Sequence, residues 1–371
     1  MNVLHVYRTY YPETQGGLQE AIRQISRGLY SCGVQCSVFT LAKNCLPQRV
    51  RVDESWVIRS KSVCEISSCD IGLPSALMAF RSAAKAADLI NFHYPWPFGD
   101  VLALLGNPGK PYVVTYHSDI VRQRFAEVLY APLRAKFMEE ANAVVATSPA
   151  YARTSEYLSR SGRSVDVIPL SIDSSRIPET PEVVATQWEL RFPKPFFFFV
   201  GVLRYYKGLE FLVEAARLTG FDVVIAGDGP ERERLRYLSS GLKNIYFLGS
   251  ISDQDKFALM RLCRAVVFPS HLRAEAFGVS LLEGAALGKA LISTEIGTGT
   301  SYVNAHEETG IVVPAANAEA FAKAMRILVE NPEYAARLGV NAKDRCVRLF
   351  DTSRIGQKYL DLYNRVLSFN G

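Results

Sequence analysis

The feature that most limits the folds open to this chain is an alternation of short apolar runs with amphipathic ones, kept up over nearly its whole length. "NVLHVY" is made of strand-forming residues, "GLQEAIRQISRGLYSCG" carries helical spacing up to Gly33, and "VQCSVFTL" is strand again. "DLINFH", "YVVTYH" and "AVVATS" follow, each bounded by polar residues, Pro or Gly. Strands that are apolar on both faces and separated by helices specify an α/β fold with a parallel sheet covered on both sides. "VDVIPLSIDSSRIPETPEVV" breaks the rhythm with three prolines and reads as a linker. The pattern then restarts with "FFFFVG", "GLEFLVEAARLTG", "DVVIAG", "ERERLRYLSSG", "IYFLG", "DQDKFALMRLC" and "AVVFPS". At 371 residues the chain exceeds one typical core. The reading is two Rossmann-like domains, residues 1–175 and 193–350, with residues 351–371 a last helix crossing back towards the first domain. The default ligand site of such a pair is a cleft between facing sheets, outside the carboxyl ends of the strands.

Bulk composition narrows the function classes. With 49% hydrophobic and 21% charged residues the chain is ordinary globular protein, which excludes disordered, collagenous and coiled-coil classes. A net charge of +5 suits an anionic small ligand or a membrane surface, and no concentrated basic run points to nucleic acid. The seven cysteines are scattered without a CxxC pair, so a zinc site is not expected and reduced thiols in a cytosol are. "MNVLHVYRTYYP" lacks the charged n-region and cleavage site of a signal peptide, and no apolar run approaches the roughly 18 residues of a membrane span. A cytoplasmic protein is expected, at most peripheral to a membrane.

Five loops at strand ends carry candidate chemistry. Gly16 and Gly17 precede a helix and offer bare amides to an anion, or simply form a tight turn; the spacing is not GxGxxG, which disfavours a dinucleotide-dependent dehydrogenase. His117 ends an apolar strand, either packed and hydrogen-bonded or facing a ligand, and His93, Tyr94 and Trp96 either cover the core or stack on a sugar. Arg204 and Lys207 lie between the strand ending at Gly201 and the helix from Gly208, where two cations and helix amides suit a diphosphate. Gly227 and Pro230 mark a turn with proline near the first helical turn. Asp253 and Asp255 resemble a metal-binding D-x-D, but Ser252 before them makes a capping box the expected role.

The loop "PSHLRAEAFGVSLLEGAALG" has two glutamates eight positions apart. Glu275 sits in the loop and Glu283 interrupts an otherwise apolar helix closed by Gly288. A carboxylate there costs several kcal/mol unless strong donors meet it. With the free amides of Phe277, Gly278 and Val279 beside them, the two acids suit a polyhydroxylated ligand.

"EAFGVSLLE" resembles the E-x7-E motif of retaining family 4 glycosyltransferases with the GT-B fold, and the likeness extends to the Gly16-Gly17 loop, "YHSD", "VGVLRYYKG", "GDGP" and "GTGTSYVN…ETGIVVP". "LRYYKG" and "GTGTSYVN" look most like bacterial mannosyl- and rhamnosyltransferases of surface polysaccharides such as O-antigen. The resemblance implies that Glu283 binds the donor ribose, and that Glu275 with the amides of Phe277, Gly278 and Val279 contacts the donor sugar. It implies that Arg204 and Lys207 clamp the diphosphate, that Gly16 and Gly17 close over the phosphates, that Gly201, Gly227 and Pro230 line the donor site, and that His117 faces the donor sugar at the reaction centre. A sugar stacked on His93, Tyr94 and Trp96 would then be the acceptor's. The family's arginine directly follows the strand-ending glycine; Val202 stands there, with Arg204 two residues on.

These roles describe a hexosyltransferase without cofactor or metal, in which cations and helix amides stabilise the departing β-phosphate and His117, Arg204, Lys207 and Glu275 form the catalytic set. The expected donor is GDP-mannose or GDP-rhamnose, with UDP-sugars the alternative, and the expected acceptor is a lipid-linked oligosaccharide at the cytoplasmic face of the inner membrane. An epimerase or hydrolase of the same fold and a non-catalytic sugar-nucleotide-binding protein are the competing readings. In "SDIVRQRFAEVLYAPLRAKFMEEA", Arg122, Arg124, Arg134 and Lys136 alternate with Ile120, Phe125, Leu129, Leu133 and Phe137, either a solvated helix with a buried stripe or a surface for anionic lipid.

Overall fold

The computed structural model describes residues 1–66, 69–119 and 124–369 and divides them into two compact units. Unit 1 runs from Met1 to Ser171 and resumes at Thr352; unit 2 is Ile172–Asp351.

Unit 1 contains β1 (Asn2–Val6), β2 (Gln35–Ala42), β3 (Arg49–Val52), β4 (Ser55–Ile66), β5 (Cys69–Gly72), β6 (Leu89–Tyr94), β7 (Tyr112–Tyr116), β8 (Ala143–Ala146) and β9 (Val165–Val167). Among the described residues they pair in the order β3-β4-β2-β1-β6-β7-β8-β9, with β5 on β4. The central strands are parallel and β3 and β5 run antiparallel to β4. β6 and β7 are buried along their whole length, which is why "LINFHY" and "YVVTY" do not alternate. The strand order reverses between β1 and β6, so their carboxyl ends open a crevice where ligands of such sheets bind.

The last helix, Thr352–Ser368, belongs to this unit and lies on the helix Gly17–Ser31. Two glycines set how close they come: a Cβ on Gly28 would stand 2.4 Å from Thr352 O, and one on Gly356 would stand 2.2 Å from the carbonyl carbon of Gly28. Tyr359 and Tyr363 then join the core of β1, β6 and β7, and the Tyr363 hydroxyl accepts from Asn91 Nδ2 at 2.8 Å.

Unit 2 contains β10 (Phe196–Val200), β11 (Asp222–Ala226), β12 (Ile245–Gly249), β13 (Ala265–Phe268), β14 (Ala290–Glu295) and β15 (Gly310–Pro314). Its sheet is parallel in the order β12-β11-β10-β13-β14-β15, with its reversal between β10 and β13. The proline-rich segment expected to be a linker is largely part of this unit: the helix Glu182–Arg191 packs on the helix Asp253–Leu262, and Trp188 Nε1 donates to Asp255 Oδ1 at 2.9 Å. Ile172 within the segment and Trp188 just beyond it are both buried.

Ile120 and Arg122 lie outside the described residues, as do the side chains of Arg124, Phe125 and Leu129. In the rest of that segment Phe137 is buried, Arg134 stands over the Tyr157 ring at 4.5 Å, and Lys136 pairs with Glu140 on the surface. Among the described residues no helix is long and apolar enough to cross a membrane.

Candidate functional site

In unit 2 the two loops at the sheet's reversal point, after β10 and β13, are stitched together. Gly201 leaves β10 with its N–H on Ala226 O at 3.1 Å, and Gly227 passes so close that a Cβ there would be 2.0 Å from Gly201 O. The buried Leu203 donates to Asp228 O at 2.9 Å and accepts from Glu231 N–H at 3.1 Å. Pro230 is exposed in that second turn. The chain then makes a short 3-10 turn, Tyr205–Lys207, ending at Gly208 with φ +64°. Any side chain at Gly208 would meet Pro269 O at 2.2 Å, and His271 N–H bonds Tyr206 O at 3.0 Å across the same junction. This junction is what carries Lys207 to the second loop.

There the Lys207 ammonium donates to Glu275 Oε2, and both side chains are 12% exposed. Nζ also lies 4.6 Å from the centroid of the Phe268 ring, and Ser270 Oγ is 3.4 Å from the same carboxylate oxygen. The loop is held from behind by Gly299, whose N–H bonds Ala276 O at 2.8 Å and whose Cα leaves no room for a Cβ against Phe277. The helix Val279–Ala286 starts at Gly278, φ +96°, and closes at Gly288, φ +69°. The first amides of the helix have no carbonyl of the helix itself to bond.

Glu283, in the middle of that helix, is met by a residue that sequence reasoning missed. Lys256 Nζ donates to Glu283 Oε1 at 2.8 Å and lies 3.0 Å from Asp253 Oδ1. Burial by itself lowers the Lys256 ammonium, but the charges of Glu283 and Asp253 outweigh it and raise the group above its ordinary value. Nothing local marks a pair 27 residues apart; only an acid on an apolar helix gave notice that a strong donor was needed. Ser252 caps the helix Asp253–Leu262: its Oγ accepts from Asp255 N–H at 3.1 Å. Among the described residues no group of His, Cys, Asp and Glu is placed to hold a metal ion. Arg204 is exposed and forms no ion pair among those residues, while Val202 beside it also faces outward.

In unit 1 Gly16 and Gly17 are exposed at the start of the helix Gly17–Ser31. His117 is buried at the end of β7, where its N–H bonds Tyr94 O at 3.0 Å. Its Nε2 lies 2.9 Å from His93 Nδ1, and His93 Nε2 lies 3.0 Å from His5 Nδ1. His5 was not singled out from the sequence, although it sits in an apolar strand as the other two do. Burial lowers His5 and His117 to about 3 and takes His93 well below the imidazole range, with His117 and His5 adding to the effect.

The acceptor-binding reading of His93, Tyr94 and Trp96 is corrected by this geometry. All three are 2% exposed or less. Trp96 Nε1 donates to Asp70 O at 2.9 Å, and the Tyr94 ring stacks on Tyr116 with centroids 4.5 Å apart. No ring face is left for a sugar.

Two family models match the chain: "Glycosyltransferase Family 4" over residues 15–176 and "Glycosyl transferases group 1" over residues 185–345. The D-rhamnosyltransferase WbpZ of Pseudomonas aeruginosa is 44% identical over 94% of this chain and 92% of its own. The O-antigen chain mannosyltransferase C of Escherichia coli is 41% identical over 99% of both. Among solved structures, sucrose-phosphate synthase from Thermosynechococcus elongatus superposes with a TM-score of 0.82 at 22% identity over 99% of both chains. The Anabaena protein HepE in complex with UDP-glucose does so with a TM-score of 0.77 at 18% identity, over 98% of this chain and 100% of that one. With two parallel-sheet α/β units, this likeness along nearly the whole length means that the chain belongs to the family 4 glycosyltransferases of the GT-B fold and is a hexosyltransferase.

Proposed function

We propose that the protein transfers mannose or rhamnose, with retention and without a metal, from a GDP-linked donor to a lipid-linked oligosaccharide in O-antigen synthesis. The names of the two most similar relatives reported above support the sugar and the pathway class. The observation that carries the mechanism is the Lys207–Glu275 pair beside the first turn of the helix Val279–Ala286.

As a sugar leaves a nucleoside diphosphate, negative charge grows on the β-phosphate. In this reading Lys207, the exposed Arg204 and the helix amides of this unit are the donors that stabilise such charge. A diphosphate takes over Lys207, and Glu275 is then free to accept from hydroxyls of the donor sugar. Glu283, held by Lys256 at 2.8 Å, accepts from the ribose hydroxyls. Glu275 is thus a sugar clamp, with the leaving phosphate taking the acceptor's proton.

The test is turnover of GDP-, UDP- and ADP-sugars with a lipid-linked acceptor extract, alongside a thermal-shift series with the same nucleotides. Transfer and a shift with the GDP-sugars are expected. A shift and transfer with UDP-sugars alone overturns the donor assignment, and release of free sugar or an epimer without acceptor overturns the transfer.

A further inference from the structure

His5, His93 and His117 form a buried row on one face of unit 1, crossing β1, β6 and the end of β7. The parallel register sets His5 opposite Asn91 and His93 opposite Thr115, so each histidine is two residues further along its strand than the point facing the last. That diagonal brings the rings to 5.2 Å between centroids in both pairs, with nitrogen–nitrogen distances of 3.0 and 2.9 Å.

The proton positions follow from counting. Among the described residues no carboxylate is bonded to any of the rings, and burial holds all three neutral, so each carries a single N–H. His93 lies in the middle and must donate with one nitrogen and accept with the other. Both hydrogen bonds therefore run in the same direction. Two arrangements satisfy this: every proton on Nδ1, or every proton on Nε2.

The two ends of the row are not alike. Among the described residues His5 Nε2 is enclosed with no hydrogen-bond partner, whereas His117 Nδ1 is not one of the enclosed, unpartnered atoms. Protons on Nε2 would leave an N–H shut in at His5 with nothing to accept it. Protons on Nδ1 place the spare N–H at His117, which keeps 5% of its surface exposed, and leave only a lone pair enclosed at His5. A buried N–H without an acceptor is the rarer of the two in folded proteins.

We propose that His93, backed by His5, is a positioning residue that fixes His117 as the Nδ1–H tautomer. His117 is then a hydrogen-bond donor to an oxygen of the ligand at the carboxyl end of β7, and it does not act as a general base through Nδ1. The tautomer assignment stands on the geometry of unit 1; that the ligand oxygen belongs to a sugar rests on the function proposed above.

The test begins with the unaltered protein. Nitrogen-15 NMR of uniformly labelled full-length chain at neutral pH distinguishes a protonated from a bare ring nitrogen without any substrate. All three histidines are expected neutral with Nδ1 protonated. His117 protonated on Nε2, or present as imidazolium, overturns the proposal. Two variants add the functional readout. His93→Phe removes the donor to His117 Nε2, while His93→Asn keeps an amide N–H at about the position of Nδ1. The Phe variant is expected to show mixed His117 tautomers and to lose about tenfold in kcat with the nucleotide-sugar KM little changed, and Asn to restore both. Equal kcat in the two variants, with the His117 tautomer unmoved, also overturns it. Absence of turnover by the unaltered protein with every donor would reject the proposed function and leave the NMR result to decide the tautomer.

Discussion

Lys207 and Glu275 are 68 residues apart in the chain, yet the ammonium of one donates to the carboxylate of the other in a largely buried ion pair. The pair is made by backbone: Gly208 under Pro269 O and His271 N–H on Tyr206 O bring the two loops together before any side chain is considered. Its consequence for catalysis is direct. Lys207→Ala is expected to lower kcat/KM by about 10²-fold or more, because a fixed donor to transition-state charge is lost. Arg204→Ala, on an exposed side chain without an ion pair among the described residues, is expected to cost less. Steady-state kinetics with the preferred donor check both, and equal losses would show that the two cations share the phosphate evenly.

The Lys256–Glu283 pair makes a prediction about binding. Lys256→Ala leaves Glu283 on an apolar helix without its ammonium, so its carboxylate is less well oriented for hydroxyls. The dissociation constant for the free nucleoside diphosphate is expected to rise about tenfold, the equivalent of about 1.4 kcal/mol. Isothermal titration calorimetry reads it. Unchanged affinity would mean that the lysine serves only the fold.

Gly208→Ala tests the junction itself. The substitution forces a Cβ to 2.2 Å from Pro269 O at a backbone φ of +64°. Destabilisation of about 2 kcal/mol or more is expected from strain and clash together, with a parallel loss of nucleotide binding as Lys207 moves away from Glu275. Chemical denaturation and the same calorimetry measure the two effects.

The buried histidines predict how stability depends on pH. His5 and His117 fall from 6.5 to about 3 on folding because burial disfavours the charged ring, and His93 falls too. Between those values the unfolded chain takes up protons that the native protein refuses. Stability is therefore full above about pH 6.5 and declines as the pH drops towards 3, by up to about 1.4 kcal/mol per pH unit for each histidine. Denaturation midpoints measured from neutral pH downwards check the slope, and His93→Asn is expected to make it shallower. A flat profile would contradict burial of neutral rings.

Local chemistry determined a good deal of this protein. Apolar runs such as "FFFFV" have few stable partners other than parallel neighbours and covering helices, so two α/β halves were readable from periodicity alone. Short-range signals held as well. Ser252 caps the helix that carries Asp255, and Gly288 ends the helix that carries Glu283, because caps depend on residues a few positions apart. An acid on an apolar helix, Glu283, required a strong donor, and Lys256 supplies one.

What folding in three dimensions added lies at long sequence separation. Lys256 reaches Glu283, His5 stands behind His93, and Trp188 ties the helix that follows the proline-rich segment to Asp255. The rings of "NFHYPW" became core instead of an acceptor platform. None of these is encoded in spacing along the chain, since each depends on which strands are neighbours and in what register. A parallel sheet sets those neighbours only once its crossovers have packed.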